Sequence, residues 1–126
     1  ANFNNTGATG TISNWLMAPN ATIKNGDVFT FFTRKASPDS YADRLELRLS
    51  TNGASTAAGS GTTTGDFTTL LLSINPSLVL GVYPTTWTQY SVTISGLPAP
   101  TSGRTHRGRY CGPGCRWVRL PEAGRV

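Results

Sequence analysis

Apolar and polar residues alternate along much of the chain, which is the pattern of β-strands that place one face against a core. The alternation is clearest in residues 44–50, where Leu45, Leu47 and Leu49 are separated by Arg44, Glu46 and Arg48. A helix would scatter these leucines around its circumference. We therefore expect a strand here with one buried face and one solvent-exposed face.

Five further segments have the composition of strands and end at turn residues. In the segment 28–34 bulky residues occur at both parities, which favours a central strand that is buried on both faces. In the last two segments we expect alternate apolar residues, such as Leu70 and Tyr90, to face the core. The five segments are residues 11–17, 21–24, 28–34, 67–74 and 87–95.

Turn signals divide these strands. Asn25-Gly26 predicts a tight hairpin turn, because both residue types tolerate positive φ. Residues 52–65 hold four glycines and no charge, which predicts an exposed, mobile loop. About six strands without a helical period predict an all-β fold. We expect a jelly-roll-like β-sandwich of two antiparallel sheets.

Composition changes abruptly near Gly103. Residues 1–103 carry five basic and five acidic side chains, whereas residues 104–126 carry six arginines and one glutamate, so the whole net charge of +5 lies in this short tail. The tail also contains every histidine and cysteine of the chain. We therefore predict a sandwich domain over residues 1–103 and an irregular, basic, Arg/Gly-rich tail over residues 104–126.

Low charge and abundant small polar residues favour an extracellular protein over a cytosolic enzyme. Charged residues make up 13% of the chain, against about 25% in typical soluble domains. No apolar run is long enough to span a membrane. The chain does not open with a signal peptide, so we expect any signal to lie upstream of Ala1.

The order of the predicted strands resembles the choice-of-anchor J domain, which is related to the cleaved-adhesin jelly rolls of bacterial surface proteins. The resemblance covers residues 1–104. It implies a jelly-roll sandwich in a secreted or surface-anchored bacterial protein, and it implies no catalytic residues. Its segments are ISNWLMAP at 12–19, NGDVFTFFTR at 25–34, DRLELRLSTNG at 43–53, DFTTLL at 66–71 and TWTQYSV at 86–92.

The chain departs from this family pattern at both ends. The family has further residues before Ala1 and continues after Arg104 with an apolar strand, so we expect a domain truncated at both ends. We hypothesise that the tail is an out-of-frame translation of GC-rich DNA, which yields Arg, Gly, Pro and Cys. A sandwich without its terminal strands would expose unpaired edges, and self-association through them is expected.

Aromatic residues are the best candidates for ligand binding. Tyr41, Tyr83 and Trp87, together with Trp15, would suit a sugar-stacking platform if they are exposed. The alternative is that Trp15 and Trp87 pack in the core or at sheet edges. Tyr41 lies in the polar loop 36–43 and is the strongest candidate for exposure.

Acidic residues offer little for catalysis. Asp39 and Asp43 share a loop and are weak candidates for calcium ligands, since calcium prefers oxygen donors. Asp43 and Glu46 differ in parity, so they should lie on opposite faces of one strand. The body has no histidine or cysteine, which excludes a catalytic triad there. We therefore expect no enzyme and no cofactor.

The tail chemistry is equally limited. Structural zinc takes four ligands, and His106, Cys111 and Cys115 supply three, so no metal site is predicted. A Cys111–Cys115 disulfide and two free thiols both fit the spacing. Aromatic residues are too sparse among the arginines to predict a specific nucleic-acid site.

These observations favour a non-catalytic binding module that serves adhesion or binds a glycan or a cell-surface protein. One alternative is an accessory domain of a secreted glycoside hydrolase or peptidase. Another is a truncated gene product without a selected function. An exposed aromatic patch beside polar side chains would favour the binding module.

Overall fold

The computed structural model describes residues 12–35, 37, 42–59 and 63–111. For residues 12–14 and 106–111 the description covers the strand backbone. No helix occurs in these ranges, and the predicted all-β fold of two antiparallel sheets is confirmed. The strands are β1 (Ile12–Met17), β2 (Ala21–Ile23), β3 (Val28–Thr33), β4 (Asp43–Ser50), β5 (Thr69–Ile74), β6 (Thr88–Thr93) and β7 (Thr101–Cys111).

The larger sheet is built around the long strand β7. Its strand order is β1-β7-β4-β5, and β2 pairs with the first residues of β7. Thus β1 and β2 follow one another along the same edge of β7, opposite residues 106–111 and 101–103 respectively. Between them the Ala18 amide donates to the Thr105 carbonyl (2.9 Å), which continues the pairing from one short strand to the next.

The smaller sheet consists of β3 and β6, paired from Val28 opposite Thr93 to Thr33 opposite Thr88. Within the described residues β3 pairs with β6 alone, so the predicted central position of β3 is not seen there. The Asn25-Gly26 turn forms with Gly26 at φ +92°. It does not close a hairpin, because β2 and β3 belong to different sheets.

The core lies between the two sheets. Phe31 of β3 packs with Leu45 and Leu47 of β4, Ile74 of β5 and Tyr83 of the β5–β6 loop. These are all buried, and the predicted inward face of β4 is thereby confirmed. Tyr90 and Val92 of β6 pack against this cluster, as the alternation in β6 predicts.

The polar face of β4 is not solvent-exposed, contrary to the prediction. Glu46 is 8% exposed and Ser50 is fully buried. Glu46 pairs with Arg48 at 2.7 Å, and the Arg48 guanidinium also lies near the Phe67 carbonyl at 3.5 Å. Phe67 itself is fully buried against Trp15. Apolar side chains thus cover a face whose sequence is charged.

A β-bulge changes which leucines of β5 face the core. Leu47 pairs with Leu72, but Arg48 pairs with Leu70, so Leu71 is the extra residue. Such an insertion reverses the alternation beyond it. Leu71 and Leu72 pack against the core and Leu70 is exposed, so the prediction that Leu70 faces the core is wrong.

The expected irregular tail is wrong for residues 104–111. These residues form most of β7, which pairs with β4 from Ser50 opposite Arg104 to Asp43 opposite Cys111. The boundary predicted at residues 103/104 falls inside this strand. The alternation of polar and apolar residues does not predict β7. Polar residues occur at both odd and even positions of this strand, which lies between two neighbouring strands. Residues 112–126 lie outside the described residues.

Candidate binding surface on the small sheet

The small sheet presents one face to the core and one to solvent. On β3 the inward residues Phe31 and Thr33 are buried, while Val28 and Phe32 are exposed. The exposed face continues on β6 with every second residue. We call this surface the outer face and define it by Val28, Thr30, Phe32, Arg34, Trp87, Gln89, Ser91 and Thr93.

One end of the outer face is aromatic. Phe32 is 43% exposed and Trp87 is 45% exposed, which is unusual for large rings in a small domain. The Arg34 guanidinium carbon lies 5.0 Å from the centroid of the Trp87 ring, within cation–π distance. Gln89 lies directly opposite Phe32 on the neighbouring strand. We call these four residues the aromatic end.

The rest of the outer face is polar and small. Thr30 lies opposite Ser91, and their hydroxyl oxygens are 3.0 Å apart in a cross-strand hydrogen bond. Thr93 lies opposite the exposed Val28. The outer face therefore offers two rings, a guanidinium, an amide and several hydroxyls on one surface of a two-stranded sheet.

The β5–β6 loop fixes the start of β6 and with it Trp87. The Lys35 amide donates to the Pro84 carbonyl at 2.8 Å, which joins the loop to the end of β3. The Thr88 hydroxyl donates to the Thr86 carbonyl at 3.1 Å. These bonds hold the backbone on both sides of Trp87, so its position beside Arg34 is built into the fold.

Charge on the outer face comes from Arg34 alone, and no acidic side chain belongs to it. Ion pairs among the described residues include those of Glu46 with Arg44 and Arg48, on the larger sheet. Arg34 contacts Trp87 and has no carboxylate partner among these residues.

The structure separates the predicted aromatic candidates. Trp87 is exposed and belongs to the aromatic end. Tyr83 is 1% exposed and lies in the core, so its prediction as a ligand-binding residue is wrong. Trp15 is half-buried and packs on Phe67 with ring centroids 6.0 Å apart, which is the packing alternative. Tyr41 lies outside the described residues.

Of the acidic candidates, the structure describes Asp43 and Glu46. Asp39 lies outside the described residues, and Asp43 is a buried residue at the start of β4. The register shift of β4 lies beyond Glu46, so Asp43 and Glu46 project from opposite faces, as their parity predicts. Across the described ranges no group of three or more His, Cys, Asp or Glu residues is placed to hold a metal ion.

The tail candidates are spread along one extended strand. His106 lies opposite Arg48 and Cys111 lies opposite Asp43. Five residues of strand separate their Cα atoms by about 16 Å, which is too far for both side chains to ligate one zinc ion. Cys115, and with it the Cys111–Cys115 disulfide, lies outside the described residues.

Phe32, Arg34 and Gln89 belong to the site but were not predicted from the sequence. Bulky residues at both parities of β3 favour a strand whose two faces are both buried. The available signal was Arg34, which shares the parity of Phe32 and Val28. A charged residue at that parity indicates the solvent side, and the exposed ring two residues earlier then belongs to a surface patch.

Comparison of the chain with known proteins finds no matching family model, no matching curated protein and no matching solved structure. The resemblance to choice-of-anchor J domains therefore stays a prediction. Among the described residues there is no helix with the length and hydropathy to cross a membrane. The outer face is therefore the feature of the described structure that bears on function.

Proposed function

We propose that the chain is a non-catalytic binding module that recognises carbohydrate through the outer face of the β3–β6 sheet. The observation that carries this proposal is the aromatic end, where the exposed rings of Phe32 and Trp87 lie beside the polar heads of Arg34 and Gln89. Sugar rings present apolar C–H faces and polar hydroxyl edges. The aromatic end offers a matching surface for both.

Each component has a distinct role in this proposal. An exposed indole or phenyl ring supplies a large apolar contact at low conformational cost, and its negative π face attracts polarised C–H groups. The Gln89 amide donates and accepts hydrogen bonds, which suits hydroxyl groups. An open sheet surface favours an extended glycan chain over a small molecule that needs a cavity.

The biological setting belongs to the same proposal. Low charge, strand composition and the resemblance to choice-of-anchor J domains favour a secreted or surface-anchored bacterial protein in which this module serves adhesion. An accessory module of a secreted glycoside hydrolase would use the same surface to hold its enzyme on substrate. In either setting the outer face is the part that contacts the glycan.

Binding to a panel of soluble and insoluble polysaccharides, followed by a glycan array, tests the proposal. Trp87→Ala and Phe32→Ala should each lower affinity at least tenfold without changing the unfolding midpoint, because both side chains are exposed. Leu70→Ala is the matched control. Leu70 is an exposed apolar residue of β5 in the larger sheet, outside the outer face, so its loss should leave binding unchanged.

The outcomes separate carbohydrate binding from the alternatives. No binding to any glycan would overturn the proposal, whereas capture of a surface protein that is lost in Trp87→Ala would assign the same face to protein recognition. Broad unfolding without cooperativity would favour a truncated gene product. Self-association through sheet edges predicts an association constant that is insensitive to both aromatic substitutions, measurable by sedimentation.

A further inference from the structure

Arg34 distinguishes the aromatic end from a neutral sugar platform. It is the charged member of the outer face, and its guanidinium lies over the Trp87 ring at 5.0 Å. Elsewhere in the described residues, Arg44 and Arg48 are engaged with Glu46. Arg34 therefore combines exposure with the lack of a carboxylate partner among those residues.

Among the described residues, no carboxylate pairs with this guanidinium. Asp27 is next to Val28 at the opposite end of β3, and its carboxylate accepts the Lys24 backbone amide at 2.9 Å. Lys35 is buried and alternates to the inward side of the sheet. Arg34 is thus the charged side chain that the outer face places beside Trp87.

The cation–π contact with the indole restricts the positions that the guanidinium can take. The edge of a guanidinium can donate two parallel hydrogen bonds to one carboxylate or sulfate. The partly exposed rings of Trp87 and Phe32 remain beside that edge for the sugar ring.

We infer that the aromatic end selects acidic polysaccharides, with Arg34 pairing to a uronate carboxylate or a sulfate ester while Phe32 and Trp87 contact the sugar ring. This inference rests on the proposed function and adds the substrate class to it. Arg34 is a specificity-determining residue in this arrangement.

The test uses polymers that differ in charge alone. Polygalacturonate is compared with its fully methyl-esterified form, and dextran sulfate with dextran, by affinity electrophoresis and calorimetry on the full chain. We expect the wild-type protein to bind polygalacturonate, dextran sulfate or both at least tenfold more tightly than the uncharged partner. The two pairs tell a carboxylate from a sulfate.

Arg34→Gln should abolish this preference, because it should lower affinity for the charged polymer at least tenfold more than affinity for the uncharged polymer. Lys24→Gln is the control for unspecific attraction by the basic tail, because it removes the same charge from an exposed residue outside the outer face. Arg34→Lys should retain part of the affinity and lose the bidentate preference.

Four results would overturn the inference. Equal wild-type affinity for charged and uncharged polymers would remove the charge preference and leave the proposed function intact. If Arg34→Gln and Lys24→Gln lowered affinity for the charged polymer equally, the preference would come from the net charge of the protein. If Arg34→Gln lowered the affinity for the charged and the uncharged polymer equally, Arg34 would be a residue that packs against Trp87 and does not select charge. Absence of binding to all four polymers would overturn this inference, while the wider glycan panel would still decide the proposed function.

Discussion

The phenol oxygen of Tyr83 and the hydroxyl oxygen of Thr33 lie 2.6 Å apart in a hydrogen bond inside the core. Tyr83 belongs to the β5–β6 loop and Thr33 to the end of β3, so the bond attaches this loop to the small sheet. The ring that looked like a ligand-binding candidate in the sequence is thus an anchor. It helps to set the position from which Trp87 reaches the surface.

Replacing Tyr83 by Phe should lower the free energy of unfolding by about 1–3 kcal/mol, because the Thr33 hydroxyl would remain buried without its partner. Urea unfolding followed by fluorescence measures this change. The double variant Tyr83→Phe, Thr33→Val should lose less than the sum of the two single variants, since no polar group is then stranded. Loss of glycan binding at unchanged stability would contradict the assignment of Tyr83 to the core.

Asn75 is a second anchor of the same loop. It is buried at φ +54°, and its amide nitrogen donates to the carbonyls of Asp43 (2.8 Å) and Val79 (2.9 Å), while its amide oxygen accepts the Val79 amide (3.0 Å). Asn75→Gly keeps the backbone conformation and removes these bonds, so it should cost about 3 kcal/mol.

Asn75→Ala should cost about 1–2 kcal/mol more than Asn75→Gly, because alanine is strained at positive φ. Chemical unfolding of the two variants separates the hydrogen bonds from the backbone effect. Ser77→Ala, an exposed change in the same loop, is the control and should be nearly neutral. Equal stability of the glycine variant and the wild type would exclude the amide bonds as a source of stability.

Gly103 marks a close approach between β7 and the end of β4. A Cβ atom at this position would overlap the Ser50 carbonyl oxygen, a backbone atom that cannot move without disturbing the strand pairing. Gly103→Ala should therefore cost about 2 kcal/mol or more, measured by thermal and chemical unfolding.

Ser102→Ala is the matched control for this prediction, because Ser102 is an exposed neighbour in the same strand. Its effect should stay within about 0.5 kcal/mol. If Gly103→Ala were as mild as the control, β7 would not lie against β4 in solution. The pair of variants thus tests whether the residues beyond Gly103 belong to the folded domain.

The Asp66 carboxylate makes the stability contributed by the 51–66 loop depend on pH. Its carboxylate accepts hydrogen bonds from Ser55 Oγ (2.5 Å) and Asn52 Nδ2 (2.8 Å), and these bonds hold the pKa of Asp66 below its ordinary value of 3.8. Since the folded pKa is the lower one, the stabilisation is complete above about pH 4. It is lost as the pH falls through the folded pKa.

Asp66→Asn should make the acid-induced fall in stability shallower, which urea midpoints between pH 7 and pH 2 would show. Ser55→Ala removes the main cause of the shift and should raise the pKa of Asp66, as followed by NMR titration of its carboxyl group. An unchanged titration in Ser55→Ala would rule out this hydrogen bond as the cause.

The strands that alternate clearly were predictable because each has one face in the core. β4 and β6 are of this kind, and their inward residues lie where the pattern places them. β7 escaped prediction because pairing with β4 on one side and with β1 and β2 on the other stabilises it through its backbone. That stabilisation leaves no signature in the order of polar and apolar residues.

The candidate site was predictable only in part. The sequence indicates Trp87 as a ligand-binding candidate and leaves packing in the core or at a sheet edge as the alternative. Its partner Arg34 directly follows β3, more than fifty residues earlier in the chain. Tyr83 and Trp87 look equivalent in the sequence, since both lie near turn residues. Their separation into core and surface depends on the Thr33 hydroxyl, which only the packing of the loop on β3 brings within reach.

Local composition was sufficient to predict an all-β chain with a turn at Asn25-Gly26, because alternation and turn propensities act between near neighbours. Strand partners, the bulge at Leu71, the burial of Glu46 and the meeting of Arg34 with Trp87 required the folded arrangement. Each of these features joins residues that are distant in sequence. Their energies depend on which surfaces meet, and the period of a single segment carries no information about its partner.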